Sequence, residues 1–552
     1  MIDVPPPFQR AAMRDRLVAE TFDVLVIGGG ITGCGIALDA ASRGLTVALV
    51  EREDFASGTS SKSSKLVHGG LRYLQQGDVR LVYQALRERQ RLLHNAPHLV
   101  SVLPFLIPVL TKDGPVSKKI AKAMRTALWM YDLTGGLRIG KRHRRLDARA
   151  ALALCPTMPA ERLSSGFVYY DATTDDARLT LAIARTAAAR GAVVVNRCAV
   201  TALTKGDDGR VDGAVVSADG VESTVRARSV ISATGVWADE VRELDDGVDP
   251  ASLRPAKGVH ITVPWHLVRN EIAIIISVPG DRRSLFLVPW VARPGGGFDH
   301  CYIGTTDTDF DGDPDAPQTD RQDVDYVLAA VNHQLTTTVT AADITGMWAG
   351  LRPLVNQASP GRTADLSRRH AITTSGSGVV TVTGGKLTTY REMAQDAVDV
   401  ALDRLGRSER CRTKRLRFVG ADSGRVPGDA HLDGRYGSEA PLVRALVEKD
   451  RTLGDPLVPG LRYLRAEAIF AVRHEMATTV TDVLTRRTRA HLQDRVACLA
   501  ALPRIAELLA TELGWDDATR DEQRAAYVAL CDAEIAAATG AMSPTAPRSQ
   551  TP

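Results

Sequence analysis

The sequence predicts an α/β protein that combines a mostly parallel sheet with a second, antiparallel domain and a helical C-terminal domain. Three observations predict this class. Buried-strand patterns alternate with helical patterns near the N-terminus, Pro-interrupted strand-like runs occur farther along, and the final part is charged and rich in alanine. The 552 residues are too many for one ordinary hydrophobic core. We therefore expect two or three domains.

The parallel sheet is predicted first from the N-terminal residues. The apolar run Phe22–Ile27 ends at glycines and is typical of a buried parallel strand, residues 31–43 have helical periodicity, and Leu45–Val50 is a second buried strand. Strand, glycine turn, helix and strand together form a βαβ unit. The same alternation returns with a helix at 178–190 and strands at 192–195 and 230–233.

The antiparallel domain is predicted from Leu103–Val109 and Ser284–Trp290, where prolines interrupt strand-like runs. Because these runs lie between segments of the parallel sheet, we expect an antiparallel α+β substrate domain inserted into a nucleotide-binding domain. The predicted boundaries are an N-terminal extension at 1–20, a nucleotide-binding domain at 21–405 (about 21–75, 150–255 and 340–405), an interleaved substrate domain (about 76–150 and 255–340), a helical C-terminal domain at 406–540 and a disordered tail at 541–552.

Composition excludes several classes of protein. Hydrophobic residues make up 44% of the chain and charged residues 24%, as in water-soluble globular proteins. The net charge of +4, from 69 basic and 65 acidic residues, is too balanced for a nucleic-acid-binding protein. We find no signal peptide and no apolar run of membrane-spanning length. The seven cysteines include no C-x-x-C pair, so we expect no disulfide framework, no metal site and a cytoplasmic location.

A dinucleotide-binding turn is predicted at Gly28-Gly-Gly-Ile-Thr-Gly33, which matches G-x-G-x-x-G. The pattern alone is weak, but here it follows a strand and opens a helix, and Glu51 closes the next strand. Gly28 would make the tight turn, Gly30 would let the backbone approach a pyrophosphate, and Gly33 would let the helix pack on the sheet. The helix N-terminus favours phosphate charge, and Glu51 can accept hydrogen bonds from ribose hydroxyls.

Two later glycine turns favour FAD over NAD as the dinucleotide. Gly235 follows an apolar strand, as in two-dinucleotide flavin folds. Near the end of the sheet region, a strand at 379–383 is followed by Gly385 and Lys386 and then by a helix beginning near Thr388. The N-terminal dipole of that helix would favour negative charge on the pyrimidine edge of a flavin. A site assembled from both ends of the domain therefore predicts an FAD-binding Rossmann-like fold.

The stretch Gly58–Leu74 (Gly-Thr-Ser-Ser-Lys-Ser-Ser-Lys-Leu-Val-His-Gly-Gly-Leu-Arg-Tyr-Leu) resembles the signature of FAD-dependent, quinone-linked glycerol-3-phosphate dehydrogenases. That family belongs to the glycine/D-amino-acid oxidase superfamily. The resemblance continues in order at Tyr170–Leu179, Ile303–Asp307, Gly350–Leu354 and Gly384–Tyr390. Because it covers nearly the whole chain with five ordered motifs, the match is specific.

The glycine motifs and this resemblance together imply a set of cofactor-binding residues. They are Gly28, Gly30, Ile31, Thr32, Gly33, Glu51, Arg52, Ser60, Ser61, Ser63, Leu66, His68, Gly69, Val200, Gly235, Gly385, Lys386, Leu387 and Thr388. The resemblance also implies that Arg72, Tyr73, Arg352, Arg368 and Lys386 face the substrate. A phosphate dianion needs convergent donors, and the planar fork of arginine matches its oxygens.

By the same resemblance, the reaction is hydride transfer from C2 of glycerol 3-phosphate to flavin N5, giving dihydroxyacetone phosphate. Arg352 and Lys386 can stabilise the developing oxyanion. His260 and His68 are candidate bases, with His260 preferred, because neutral imidazole titrates near working pH. Where the family usually has Tyr-Ser, this chain has Trp348-Ala349, which we expect to alter the pocket wall and the tightness of substrate binding.

Residues 118–131 predict a basic amphipathic helix. Its apolar stripe consists of Ile120, Ala123, Met124, Ala127, Leu128 and Tyr131, and the basic cluster 141–145 lies nearby in sequence. Such a helix either lies in an anionic lipid surface or packs its stripe on its own domain. The resemblance implies a membrane quinone as acceptor, so we expect peripheral association with the inner face of the plasma membrane. We also expect a homo-oligomer, most simply a dimer.

Three other functions compete with this prediction. An oxidase of the same family would return electrons to oxygen and release hydrogen peroxide. An NAD-linked dehydrogenase is disfavoured by the late glycine turn. A flavin-binding protein without turnover is disfavoured because Arg72, Arg352 and Lys386 are all present.

Overall fold

A computed structural model describes residues 8–70, 79–111, 126–133, 135, 139–247, 252–281, 283–355, 370–421 and 430–540. The described strands are β1 (Thr21–Ile27), β2 (Val47–Val50), β3 (Leu66–Val67), β4 (Val100–Leu110), β5 (Arg144–Asp147), β6 (Leu163–Thr174), β7 (Val193–Val195), β8 (Ala199–Lys205), β9 (Val211–Ala218), β10 (Val221–Ser232), β11 (Leu253–Pro264), β12 (Ala273–Ser277), β13 (Ser284–Ala292), β14 (Phe298–Gly304), β15 (Thr308–Asp309), β16 (Gly346–Val355), β17 (His370–Thr374) and β18 (Val380–Gly384).

The described α-helices, apart from a helical segment at 126–133, lie between Arg10 and Thr539. They are α1 (Arg10–Ala19), α2 (Ile31–Ser42), α3 (Val79–Asn95), α4 (Ala148–Leu154), α5 (Asp176–Ala189), α6 (Ala238–Asp246), α7 (Arg321–Gln334), α8 (Tyr390–Leu405), α9 (Ala430–Tyr436), α10 (Ala440–Lys449), α11 (Arg465–Glu475), α12 (Ala490–Gln493), α13 (Arg495–Leu513) and α14 (Asp517–Thr539).

The first sheet is the predicted nucleotide-binding sheet. Its order is β17-β18-β10-β1-β2-β7, with β8 and β9 attached through β10. Strand β1 runs parallel to β2 and β10, and β10 runs parallel to β18. Val24, Leu25 and Val26 of β1 are fully buried because helices cover the sheet, with α2 packed against α5 and α8. The predicted α/β class is confirmed.

The second sheet is largely antiparallel and supplies the wall opposite the glycine turn. Its main order is β15-β11-β14-β13-β12-β4-β6-β3, with β16 paired to β11 and β5 paired to β6. Its apolar side packs against α7, whose Val327 and Val331 are fully buried. The Pro-interrupted runs seen in the sequence correspond to β4 and β13.

Sheet membership differs from the predicted boundaries at three strands. Strands β3, β6 and β16 belong to the second sheet, although residues 21–75, 150–255 and 340–405 were assigned to the nucleotide-binding domain. The physical reason is that backbone hydrogen bonds pair these strands with strands of the second sheet. Strand β6 bonds along its whole length to β4, and β16 bonds to β11. An apolar run does not reveal which distant strand will accept its hydrogen bonds.

Both ends of the chain pack against these sheets. The segment predicted as an N-terminal extension contains α1, which buries Met13 and Leu17 in the first core. Helices α9 to α14 form the C-terminal part, with their own buried cluster around Tyr527 and Cys531. The predicted disordered tail at 541–552 lies outside the described residues.

The predicted amphipathic helix is described only from residue 126. In the described part, Leu128 and Tyr131 of the apolar stripe are buried within the second domain. At these two positions the stripe therefore packs on its own domain, which is the second of the two predicted alternatives, with Leu86 and Tyr169 in the same buried cluster. Among the described residues, no helix is long and apolar enough to cross a membrane.

Candidate active site

A cavity of about 620 Å³ lies where the parallel strands end. Residues that follow β1, β2, β10 and β18 all line it, because the carboxyl ends of parallel strands meet at one edge of a sheet. The second sheet closes the other side through β11 and β16. The volume of the cavity is in the range of cofactor and ligand sites.

The turn after β1 has the geometry that the glycine motif predicts. Gly28 has φ +108°, and a Cβ there would be 2.8 Å from the Ala233 carbonyl oxygen. A Cβ at Gly33 would be 1.9 Å from the Gly28 carbonyl oxygen, so the helix can approach the turn only with glycine there. Helix α2 begins at Ile31, whose N–H donates to Ser60 Oγ at 2.9 Å. Its N-terminus is therefore directed at the cavity, where a pyrophosphate would be stabilised.

Glu51 is the acidic residue that the dinucleotide motif requires. Its carboxylate accepts hydrogen bonds from Gly29 N–H at 2.6 Å and Glu53 N–H at 2.8 Å. Burial raises the pKa of Glu51, and the two backbone donors oppose that rise. Each oxygen retains acceptor capacity, and the residue lines the cavity, so ribose hydroxyls of a dinucleotide can bond to it. These features fit an adenine dinucleotide.

Arg52, which follows Glu51 in the sequence, lies at the edge of the cavity beside Glu51. Its guanidinium lies 4.7 Å from the centroid of the Trp237 ring and pairs with Glu240 at 3.2 Å and with Asp315. Trp237 follows the predicted Gly235 turn and also lines the cavity. The arginine and the indole therefore form one edge of the site.

The loop after Thr59 is fixed by a buried carboxylate that sequence reasoning missed. Asp176, the first residue of α5, accepts hydrogen bonds from Ser63 N–H at 3.0 Å and Ser63 Oγ at 2.7 Å. It also pairs with Lys65 Nζ at 3.2 Å and with Arg489 of the C-terminal part. Burial, and then the Arg489 charge, lower the pKa of Lys65 to about 8. Ser63 and Leu66 are thus held at the cavity wall.

The late glycine turn brings His68 and Thr388 together, as the family resemblance implies. Gly385 has φ +81°, and the short helix Leu387–Thr389 leads into α8. His68 N–H donates to Thr388 Oγ1 at 3.2 Å, and the Thr388 hydroxyl donates to the His68 carbonyl at 3.4 Å. Together with Lys386, these residues line the cavity.

Arg352 is held at the wall opposite the glycine turn. Its Nη1 donates to Asp307 Oδ1 at 3.0 Å, and its Nη2 donates to Thr305 Oγ1 at 3.2 Å and the Thr306 carbonyl at 3.1 Å. The guanidinium passes close to Gly258, where a Cβ would be 2.5 Å from Nη2. The fork is therefore oriented by the protein itself and lines the cavity beside the cofactor region.

His260 is buried beside the same wall. Its Nε2 lies 2.9 Å from Ser64 Oγ, and its ring is parallel to the indole of Trp348. Burial, together with the positive charges of Lys65 and Arg352, lowers the pKa of His260 well below its ordinary value. The imidazole is therefore neutral near pH 7, as a proton acceptor requires.

Most of the predicted residues meet at this cavity. Those that line it are Gly28, Gly30, Ile31, Thr32, Glu51, Arg52, Ser60, Ser63, Leu66, His68, Val200, Gly235, His260, Arg352, Gly385, Lys386, Leu387 and Thr388.

Six predicted site residues are placed elsewhere or not described. Gly33 packs beneath the turn, Ser61 uses its carbonyl to accept from Lys65 and Arg489, and Gly69 donates to Tyr131 and Asp171. Arg72, Tyr73 and Arg368 lie outside the described residues.

Lining or supporting residues that were missed include Ser64, Asp176, Trp237, Thr305 and Asp307. Of these, Ser64, Asp176, Thr305 and Asp307 fall inside the quoted motifs, so motif membership was a signal that could have found them.

Comparison with known proteins agrees with this geometry. A family model of FAD-dependent oxidoreductases matches residues 23–391, and one for the C-terminal domain of alpha-glycerophosphate oxidase matches residues 411–520. Glycerol-3-phosphate dehydrogenase 2 of Mycobacterium tuberculosis is 41% identical over 549 residues, which cover 96% of this chain and 91% of that protein. The chain belongs to the FAD-dependent glycerol-3-phosphate dehydrogenases. The mitochondrial glycerol-3-phosphate dehydrogenase of Arabidopsis thaliana is 35% identical and covers 93% of this chain and 87% of its own length.

A solved glycerol-3-phosphate dehydrogenase shares the fold over nearly the whole chain. The glycerol-3-phosphate dehydrogenase of Bacillus halodurans, complexed with FAD, is 30% identical, with a TM-score of 0.76 over 97% of this chain and 99% of that one. The predicted cofactor, FAD, and the predicted family are confirmed. The structure of L-alpha-glycerophosphate oxidase from Mycoplasma pneumoniae, 16% identical with a TM-score of 0.54 over 71% of this chain and 97% of that one, shares the fold.

Proposed function

We propose that the protein uses FAD to oxidise sn-glycerol 3-phosphate to dihydroxyacetone phosphate and passes the electrons to a membrane quinone. The observation that carries this proposal is that Arg352 and Lys386 line the same cavity as the dinucleotide-binding turn. A phosphorylated three-carbon alcohol is small and doubly anionic, so cationic side chains beside the cofactor suit it. The names of the similar proteins fit this chemistry.

In the proposed reaction, FAD held by the glycine turns after β1 and β18 would supply N5 as the acceptor for the hydride that leaves C2 of the substrate. His260 Nε2 accepts a proton from the Ser64 hydroxyl, 2.9 Å away at the cavity wall, as that hydroxyl takes the proton of the C2 hydroxyl. This relay requires the tautomer of His260 with its hydrogen on Nδ1. Arg352 and Lys386 stabilise the negative charge that develops on the C2 oxygen as the carbonyl forms. His68, the other candidate base, is tied through its backbone to Thr388 and serves the cofactor in this assignment.

The test is anaerobic mixing of the FAD-loaded protein with glycerol 3-phosphate while the visible flavin band is recorded. We expect rapid bleaching, followed by rapid recovery when a soluble quinone analogue is added and slow recovery in air. A flavin that stays oxidised with this substrate contradicts the substrate assignment. The control is glycerol, which lacks the phosphate that the cations would bind.

An oxidase that releases hydrogen peroxide is the alternative function. One observation favours it, since the family model matched by residues 411–520 is named for alpha-glycerophosphate oxidase. The two functions differ in the oxidant that restores the flavin band. Recovery in air as fast as with quinone, with one hydrogen peroxide formed per substrate oxidised, would support the oxidase.

We further propose that the protein is cytoplasmic and associates with the inner face of the plasma membrane. Trp129, Met130 and Leu133 are large apolar side chains with exposed fractions of 41%, 41% and 70%. The Trp129 ring lies 5.5 Å from the ring of His143, within the basic cluster 141–145. Exposed apolar side chains beside cations suit an anionic lipid surface, where a quinone would be dissolved.

A further inference from the structure

Trp348 contacts three groups at the wall of the active site. Its indole is parallel to the His260 imidazole, with ring centroids 4.8 Å apart and 8° between the planes. Its Nε1 donates to the Ser63 carbonyl at 3.1 Å, and Lys65 Nζ lies 4.5 Å from the ring centroid. The residue is 4% exposed. It therefore joins the histidine to the loop that lines the cavity.

Strand register explains this placement. His260 of β11 lies directly opposite Trp348 of β16 on one side and Gly304 of β14 on the other. A Cβ at Gly304 would be 2.2 Å from His260 Cδ2. Directly opposed residues on one face of a sheet are close enough to pack. Glycine leaves room for the imidazole on one side, and the indole supports it on the other.

The indole matters because hydrogen bonding alone does not fix the imidazole. Nε2 lies 2.9 Å from Ser64 Oγ, whereas Nδ1 is buried without a hydrogen-bond partner among the described residues. A ring held at one atom can turn about its Cβ–Cγ bond, where the torsional preference is broad. A flat indole face beside the imidazole removes that freedom.

We propose that Trp348 is a positioning residue that holds His260 in the orientation in which Nε2 meets Ser64. The inference rests on the proposed function, in which His260 receives the proton of the substrate hydroxyl through Ser64. Trp348 is absent from the cavity lining, so it acts through His260 and not on the substrate. It should therefore affect the rate of flavin reduction much more than substrate affinity.

The test compares Trp348→Phe, Trp348→Leu and the control Trp290→Phe in the FAD-loaded, full-length protein. Phenylalanine keeps an aromatic face against the imidazole, and leucine does not. Trp290 belongs to the same aromatic cluster, 6.4 Å from the Trp348 ring, and is not among the cavity-lining residues. The measurement is the rate of anaerobic flavin reduction as a function of glycerol 3-phosphate concentration.

We expect the limiting rate to fall about 3-fold in Trp348→Phe and at least ~30-fold in Trp348→Leu, approaching the roughly 100-fold or more that a general base contributes. The substrate concentration for half the limiting rate should change less than about 3-fold, and Trp290→Phe should match the wild type. A limiting rate in Trp348→Leu equal to that of the wild type would overturn the proposal.

A double-mutant cycle with His260→Ala separates positioning from general disruption. If Trp348 acts through His260, Trp348→Leu should cause no further loss in the His260→Ala protein. A loss of equal size in both backgrounds overturns the proposal. Should Trp348→Leu fail to fold, Trp348→Phe in both backgrounds provides the same comparison. An unreduced wild-type flavin would instead contradict the proposed function itself.

Discussion

At the scale of single residues, Arg352 shows how a side chain is prepared for an anionic ligand. Three acceptors, Asp307, Thr305 and Thr306, fix its guanidinium at donor–acceptor distances of 3.0, 3.2 and 3.1 Å. Because the fork is already oriented, little side-chain entropy is lost when a ligand binds. A lysine would retain the charge but could not satisfy these acceptors and a phosphate or oxyanion together.

Arg352→Lys should therefore lower kcat/KM for glycerol 3-phosphate by about 100-fold or more, through loss of directed charge stabilisation. The matched control is Arg293→Lys in the turn between β13 and β14, where an exposed arginine pairs with Asp299. Steady-state kinetics with a quinone analogue measures kcat/KM for the two variants. Similar activities in the two variants would show that Arg352 does not act on the reaction.

His491 is a buried histidine whose pKa is raised, in contrast to that of His260. It lies within hydrogen-bond distance of the Tyr527 hydroxyl at 2.9 Å and of Glu534 at 3.0 Å. Burial opposes the charged form, but the Glu534 carboxylate and the Cys531 side chain together outweigh it and raise the pKa of His491 to about 9 from an ordinary 6.5. Because the folded pKa is the higher one, the pair stabilises the fold fully below pH 6.5, and this contribution is lost as pH rises to 9.

His491→Gln should accordingly lose stability relative to the wild type at pH 6.5, and the difference should shrink towards pH 9. The contribution of this ionisation is at most about 3 kcal/mol. The measurement is the melting temperature of His491→Gln and of the wild type, each at pH 6.5 and pH 9. Replacement of the exposed His266 by Gln serves as the control, and a His491→Gln difference independent of pH would contradict the expectation.

At the scale of elements, the C-terminal part holds the loops around the cofactor site. Arg487 donates to both oxygens of Asp54 at 2.7 and 2.8 Å, and Arg489 pairs with Asp176. Asp176 in turn anchors Ser63, which lines the cavity. Arg489 has φ +71°, a conformation that non-glycine residues keep only where their surroundings enforce it. The C-terminal helices thus help to shape the flavin-binding loop.

Arg489→Met should release this loop, because Asp176 would lose its buried guanidinium partner, at a cost of about 3–5 kcal/mol. We expect a lower melting temperature and a lower ratio of flavin to protein absorbance after purification. Arg473→Met, which removes a partly exposed pair with Glu512, is the control. Full flavin content in Arg489→Met would mean that the loop does not depend on this pair.

Sequence patterns predicted the local elements of the site well. The turns at Gly28 and Gly385 were predictable because their geometry depends on a few consecutive residues. Asp176 lies inside a quoted motif, but its pairing with Arg489 was not predictable, and neither was the contact of Trp348 with His260, since both depend on partners brought together by strand and helix packing. The apolar stripe with Leu128 left two alternatives open, a lipid surface or its own domain, because periodicity shows that a face is apolar but not what covers it.

At the scale of the whole molecule, the cavity joins three parts of the chain. The first sheet supplies the dinucleotide turn, the second supplies Arg352 and His260, and the C-terminal part fixes the loop between them. The exposed side chains Trp129, Met130 and Leu133 lie on one small helical segment of the second domain. Formation of a homodimer stays a prediction that measurement of the molecular mass in solution can check.

Trp129→Ser with Leu133→Ser should weaken binding to vesicles containing anionic lipid by about 10-fold or more, because each removes apolar area that would enter the interface. Cosedimentation at low and high salt measures the binding. The control is Val496→Ser, an exposed valine on the C-terminal part. Undiminished binding by the double variant would exclude this segment as the contact.

Translation produces Asp54 early, and its partner Arg487 is added 433 positions later. Until the ribosome has passed this segment, the Asp54 carboxylate beside the dinucleotide turn has no arginine partner, and Asp176, which anchors Ser63, lacks Arg489. The nascent chain can complete its first βαβ unit long before it can retain FAD. We therefore expect cofactor capture to follow synthesis of the C-terminal helices, so that polypeptides released prematurely lack flavin and are degraded by cellular proteases.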